Sequence, residues 1–367
     1  MIEYDKFTET KVEYIEQIFE FQIPKGQKSE RIDLFLTRMI QNATRTKVQK
    51  AIDDQRVSVN GKVAKSSHKI KPFEKILCKI LKPPPMELVP QNIPLEIVFE
   101  DDYLLVINKP AGMVVHPGFG NRYGTVVNAV LYHLGKREPI SIELDEDEDE
   151  EQENTGEIPR SEGEGLIYAS DIIRPGIVHR IDKDTSGLLV IAKDPITHAN
   201  LAAQFSKHTI EREYWAIAWG KFKSSTGTIE GDIGRSSQNR KMFAVVKKDG
   251  KFARTDYFIL KEFEFASLVK YKLHTGRTHQ IRVHSSFTHH PILGDELYGG
   301  NKIIYGSEIP RLKSKANECL KIATRQMLHA KTLGFVHPKT QEKMLFDSNL
   351  ADDFQKVLKI LEDNLIS

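Results

Sequence analysis

At 367 residues, with 40% hydrophobic and 28% charged residues and a net charge of +2, the chain has an ordinary globular composition and room for two or three domains. No apolar run approaches the roughly 18 residues of a membrane-spanning helix. The acidic start MIEYDKFTETKVEYIEQ also lacks a signal-peptide core, so a cytoplasmic protein with no membrane partner is expected. Cys78 and Cys319 each stand alone, which argues against a disulfide framework and against a thiolate zinc site.

Residues 1 to 24 read as a tail with one or two short ordered pieces. Apolar Ile32, Phe35, Leu36, Met39 and Ile40 recur at helical spacing, so a helix is predicted within 29 to 42. Thr44 offers an N-cap for a second helix, RTKVQKAIDD. In RVSVNGKVAK, Val57 and Val59 alternate ahead of Asn60-Gly61, a hairpin turn signal. This helix-helix-hairpin unit, residues 25 to 82, holds fifteen Lys/Arg against five Asp/Glu. Such a basic small domain is the usual footprint of a nucleic-acid binder, with a lysine-rich solubility surface as the competing reading. Residues 83 to 91, opening on Pro83-Pro84-Pro85, are expected to be a linker.

A second domain is expected over 92 to 367. LEIVFE and LLVINK read as a strand pair, and TVVNAVLYHL suits a helix. Residues 143 to 164 carry twelve Asp/Glu against one Arg, which leaves +13 on the rest of the chain. That stretch has almost no apolar residues and is expected to be a disordered acidic loop. Leu188 to Ala192 is an unbroken apolar run, predicted to be a strand buried on both faces. Asp194 then caps a helix with Pro195 at its first position and Leu201 and Phe205 on its core face. Strands follow at REYWAIAWG, TDYFILKEF and ASLVKYKLH, and a final helix near 351 to 362. Strands and helices mix without a regular βαβ alternation, which predicts an α+β fold with a mixed sheet.

Several motifs fail on spacing. Gly118, Gly120 and Gly124 give GxGxxxG with no surrounding Rossmann unit. His279 and His284 sit five apart, which does not align two ligands on one helix face, and no metal is expected. HRID lacks the glycine-rich loop and DFG of a kinase, and Ser186 lacks a nucleophile elbow. What remains is a carboxylate and two arginines. Asp182 precedes a buried strand, so its backbone is rigidly placed. A partly buried Asp needs a cation, or it protonates. Arg180 and Arg282 are the candidates. A structural ion pair anchoring the strand is the competing reading.

Over these residues the chain resembles the RluA-type pseudouridine synthase family, in its large-subunit ribosomal RNA branch. The resemblance lies in EDDYLLVINKPAGMVVHP (100 to 117), RPGIVHRIDKDTSGLLVIAKD (174 to 194), REYWAIAWG (212 to 220), LHTGRTHQIRVH with HPILGDELYG (273 to 284 and 290 to 299), and LHAKTLGFVHP (328 to 338). It covers residues from about 92 to the end, apart from the acidic loop, and Ile181 stands where leucine is commoner. The N-terminal unit is similar to the alpha-L RNA-binding domain. The resemblance implies a mainly antiparallel sheet lining an RNA cleft, and conversion of uridine to pseudouridine without a cofactor. It implies Asp182 as the catalytic aspartate, Arg282 as its partner, Tyr214 under the target base, and Arg180 in the space left by a flipped nucleotide. Tyr214 could also serve as a late general base. Arg45, Lys47, Arg56, Lys62 and Arg277 are the further cations expected to face RNA. Whether the carboxylate attacks the anomeric carbon, attacks uracil carbon-6 or takes a ribose proton stays open. The expected partner is large-subunit ribosomal RNA or its precursor particle, bound by a monomer. Transfer RNA is the alternative substrate, and an inactive ribosome-assembly factor is the alternative class. Deleting residues 143 to 164 is expected to leave activity intact; an assay of the deletion showing a large loss would give the acidic stretch a part in RNA handling.

Overall fold

The computed structural model describes residues 14–40, 43–82, 86–118, 121–142, 176–236, 238–239 and 242–363. The N-terminal unit has two helices, α1 (Ile32–Met39) and α2 (Arg45–Asp53). They pack with four strands, β1 (Ile15–Gln22), β2 (Val57–Val59), β3 (Lys62–Val63) and β4 (Lys75–Lys82), in the order β1-β4-β2-β3. Thr44 caps α2 by accepting from the Lys47 amide at 3.2 Å. Asn60 and Gly61 both take positive φ, 49° and 79°, as the tight turn between β2 and β3 requires. Ile32, Phe35, Leu36, Val48, Ile52, Val57, Ile76 and Cys78 form its buried core. A short ordered piece was expected within the tail over 1 to 24, and it proves to be part of the N-terminal unit, which therefore begins before residue 25. Ile15–Gln22 pairs with β4 along its whole length, and Ile23 is buried in the same core. Its alternating exposure is that of an edge strand.

The expected linker is corrected in the same way. Met86–Leu88 (β5) pairs with Ile140–Ile142 (β8), and buried Leu88 packs on Val127 and Leu131 of α3 (Val126–His133). Asn128 donates to the Val89 carbonyl, and the Gln91 amide donates to the Asn128 carbonyl. Residues 83–85 and the acidic stretch 143–164 lie outside the described residues.

The remaining strands form one ten-stranded sheet. They are β6 (Ile97–Glu100), β7 (Leu104–Lys109), β9 (Ser186–Ala192), β10 (Glu211–Trp219), β11 (Thr226–Arg235), β12 (Phe243–Val245), β13 (Lys251–Glu262), β14 (Ala266–Leu273), β15 (Leu328–Val336) and β16 (Lys343–Asp347). Their order is β12-β11-β13-β14-β10-β15-β9-β7-β6, with β16 on β15. Every pairing is antiparallel except β9 with β15, which join in parallel through Ser186–His329 and Gly187–Ala330. This is the mixed, mainly antiparallel α+β sheet expected.

All seven residues of β9 are buried. Leu189 and Ile191 enter the main core with Ile217 and Trp219, whereas Leu188 and Val190 face a second core with Leu201 and Phe205. Two cores on two faces explain why the run shows no polar alternation. Leu201 and Phe205 belong to α4 (Pro195–Ser206), capped by Asp194, whose carboxylate accepts from the Thr197 amide at 2.9 Å. Helices α5 (Gln280–Phe287), α6 (Pro310–Ile322) and α7 (Asp352–Glu362) complete the unit.

Gly187 is where β9 leaves the site and meets both β7 and β15. Its φ is +115°, and an added Cβ would lie 2.3 Å from the Ala330 oxygen. Gly187→Ala is therefore expected to cost about 3 kcal/mol in a denaturant melt. Gly26→Ala, where a Cβ meets nothing within 4 Å, is the control; equal effects would remove the steric argument.

Candidate active site

Asp182 begins a turn closed by the Thr185 amide donating to the Asp182 carbonyl at 3.0 Å. The turn is held from two sides. Lys109, at the end of β7 and fully buried, donates to the Lys183 carbonyl at 2.9 Å and to the carbonyls of Pro110 and Met113. Burial pulls the Lys109 ammonium down to about 7, against the nearby charges of Asp182 and Asp184. Three carbonyl acceptors match the three protons of the ammonium form. On the other side Arg325 donates to the Asp184 carbonyl at 2.9 Å and pairs with Asp353 of α7 at 2.7 Å. Ser186 and His329 hydrogen-bond at 2.9 Å where β9 meets β15. The polar residues at the mouth of the buried strand thus fasten the backbone beneath Asp182.

Arg282 lies between two carboxylates. Its Nε and Nη2 donate to Asp295 at 2.7 and 2.9 Å, a two-pronged pair, and its Nη1 donates to Asp182 at 2.8 Å. Asp295 is 0% exposed and Asp182 is 26% exposed, so of the two only Asp182 is reachable from solvent. Burial opposes the Arg282 charge, but the two carboxylates outweigh it and hold the guanidinium protonated. Arg282 also packs over the Tyr298 ring, 5.0 Å from its centre. His279 precedes α5 with a left-handed φ of 55°. One helical turn separates it from Arg282, so both reach the same spot. Its Nε2 is 3.9 Å from the Asp182 carboxylate, and its Nδ1 is 2.9 Å from the Tyr298 hydroxyl.

Burial raises the Asp182 carboxyl, but His279, Arg282 and Arg180 outweigh it and leave the group below its ordinary value. Burial also lowers His279, so that ring is neutral near pH 7 and charges only in acid. At neutral pH Arg282 is the close cation that keeps Asp182 ionised. Tyr214, on β10, is 7% exposed, and burial raises its pKa, Arg212 acting against and Asp182 with that trend. It is a neutral phenol at neutral pH, better suited to packing and hydrogen bonding than to proton abstraction.

The other expected cations are scattered. Arg180 is exposed, near enough for its charge to act on Asp182. Arg277 donates to the Phe252 carbonyl at 2.9 Å. In the N-terminal unit, Arg45 is 3.3 Å from Asp33 and Arg56 is 3.4 Å from Asp54, so each has a carboxylate partner. Lys62 is exposed on β3, and Lys47 is half-buried. His179 is a core group: buried, stacked on Phe205 and accepting from the Val190 amide. Burial lowers its pKa to about 3, so it stays neutral. Asp295, His279, Tyr298, Lys109 and Arg325 were not singled out as members of the site. Asp295 had a weak signal: with Glu296 it follows the apolar Ile292-Leu293 by one glycine, and an acid buried there must find a cation.

Residues 103–287 match the family described as RNA pseudouridylate synthase, and residues 30–76 match the S4 domain. The chain belongs to the RNA pseudouridylate synthase family. It is thus an RNA-modifying isomerase with an N-terminal S4 unit. An "Uncharacterized RNA pseudouridine synthase" of Chlorobaculum parvum is 45% identical, the match covering 92% of this chain and 95% of that one. A "Ribosomal large subunit pseudouridine synthase D" of Zymomonas mobilis is 40% identical over 90% of this chain and 93% of that one. "RNA pseudouridine synthase 2, chloroplastic" of Oryza sativa is also 40% identical, over 92% and 81%. The solved structure of "Human RNA Pseudouridylate Synthase Domain Containing 4" shares the fold, with a TM-score of 0.50 at 24% identity over 72% of this chain and 92% of that one. Among the described residues no helix is long and apolar enough to cross a membrane. Relatives this similar work in more than one compartment, as the chloroplastic name shows.

Arg282→Gln removes the cation that counters burial at Asp182, so the carboxyl should protonate at higher pH. Activity is then expected to fall more at about pH 5 than at about pH 8, moving the acid limb of the rate profile upward. An unchanged profile would mean that Arg282 does not set the ionisation of Asp182.

Proposed function

We propose that this synthase isomerises uridines of large-subunit ribosomal RNA, with Asp182 as the catalytic carboxylate. One observation carries the choice of residue. Asp182 is a solvent-reachable carboxylate, hydrogen-bonded at 2.8 Å to a guanidinium that a second, buried carboxylate fixes in place. In the reaction the glycosidic carbon–nitrogen bond breaks, uracil turns, and its carbon-5 bonds to the ribose carbon. The carbon-5 proton is lost and the ring nitrogen gains one, so no electrons enter or leave. Each way in which a carboxylate can begin this exchange needs it ionised. The Arg282 pair meets that need near neutral pH.

A stacked nucleotide cannot reach a carboxylate set in the protein, so the uridine must leave its helix. Arg180, exposed beside Asp182, is suited to fill the vacated place, because a guanidinium is planar and stacks on bases. Tyr214, kept a neutral phenol, would pack beneath the uracil. The S4 unit would grip phosphates through Arg45, Lys47, Arg56 and Lys62, with Arg277 on the larger domain, and so affect affinity more than chemistry. The name of the relative from Zymomonas mobilis supports large-subunit RNA. Action as a monomer is part of the same reading. A cytoplasmic place of action belongs to the same reading.

The test is tritium release from RNA labelled at uridine carbon-5, taken from cells lacking this protein. Wild type should release tritium from large-subunit RNA or its precursor particles, and Asp182→Asn should be at least about a thousandfold slower. Equal release by both would remove Asp182 from the chemistry. Release from transfer RNA alone would move the substrate, and tight binding without release would favour an assembly factor.

A further inference from the structure

Phe73 lies in the loop Lys71-Pro72-Phe73-Glu74 that leads into β4. Its φ is 70°, the left-handed region in which a bulky L-residue is strained. Packing does not compensate. The ring is 68% exposed and is no part of the N-terminal core. Glycine at this position would relieve the strain and remove an apolar ring from water. Folding therefore gives no reason for phenylalanine here.

The loop is nonetheless held firmly. The Phe73 amide donates to the Ile23 carbonyl at 2.8 Å, and its carbonyl accepts from Gln22 Nε2 at 2.9 Å. The Ile23 amide donates to the Glu74 carbonyl at 2.9 Å, and the Glu74 carboxylate accepts from the Lys71 amide and contacts His68. Exposed Lys25, Lys69 and Lys71 flank the loop. An exposed aromatic residue on a hydrogen-bonded loop that also carries exposed lysines is suited to capture an unpaired nucleobase: the ring stacks on the base and the lysines meet its phosphates. We propose that Phe73, in the N-terminal unit, is a stacking platform for an unpaired base of the bound RNA. The inference rests on the reading that the S4 unit grips RNA.

The test uses the full-length protein with a labelled RNA stem-loop and with the fully paired duplex of its stem. Phe73→Gly should weaken stem-loop binding about five- to a hundredfold. It should leave duplex binding unchanged, the melting temperature no lower, and the salt slope of binding the same, because no phosphate contact is lost. Phe73→Tyr should bind as wild type does. Lys69→Gln with Lys71→Gln should lower the salt slope. Stem-loop binding by Phe73→Gly within about twofold of wild type would overturn the proposal, since stacking is worth more than that. If the lysine variants then still weakened binding, RNA would cross this face without stacking. If they too were silent, the S4 reading of this face would fail as well. An equal loss on the duplex, or a clear drop in melting temperature, would also overturn it by making the ring a general or structural contact.

Discussion

The site depends on one guanidinium shared between a buried and a reachable carboxylate. Arginine stays charged at any working pH, so Arg282 can be buried only beside anions. Asp295 meets that need with two parallel hydrogen bonds and no solvent exposure. The remaining prong is then fixed in direction, and Asp182 receives it. Magnitudes separate the roles. Breaking a buried pair costs about 3–5 kcal/mol, whereas an exposed pair is worth under about 1 kcal/mol. Asp295 therefore anchors Arg282, and the partly exposed Asp182 is tuned by it.

The same division runs through the surrounding backbone. Lys109 and Arg325 spend their protons on main-chain carbonyls of the Asp182 turn. The Lys183 carbonyl also accepts from the Gly112 amide at 2.9 Å, whereas Arg325 supplies the donor that the Asp184 carbonyl needs next to the core. β9 carries the turn because it is buried on both faces and cannot slide without moving two hydrophobic cores. Rigidity at Asp182 comes from ordinary packing behind it and from cations beside it.

Local features were readable wherever the signal was local. The Asn60-Gly61 turn, the Thr44 and Asp194 caps and the burial of Leu188 to Ala192 follow from a few adjacent residues, and the structure shows each. β5 and α6 have no local signal of that kind, and β1 shows only as an ordered piece of unstated type. Ile15–Gln22 is a polar-alternating edge strand defined only by its partner β4, and Met86–Leu88 gains its register from β8. α6 starts on Pro310, and its apolar face, Leu312, Ala316 and Cys319, is narrow.

The sequence by itself determined that a carboxylate stands at the mouth of a doubly buried strand, that arginines are available to it, and that a basic unit with a tight hairpin precedes it. Those are matters of spacing, charge and turn chemistry within short reach along the chain. Only the tertiary structure decided that Arg282, the partner the resemblance implies, is held by Asp295 as it reaches Asp182, that His279, itself left-handed, joins them, and that Arg45 and Arg56 share their charge with neighbouring carboxylates. These contacts join residues up to about a hundred positions apart, such as Asp182 and Arg282. Their distances are set by strand order and burial, which no local pattern contains.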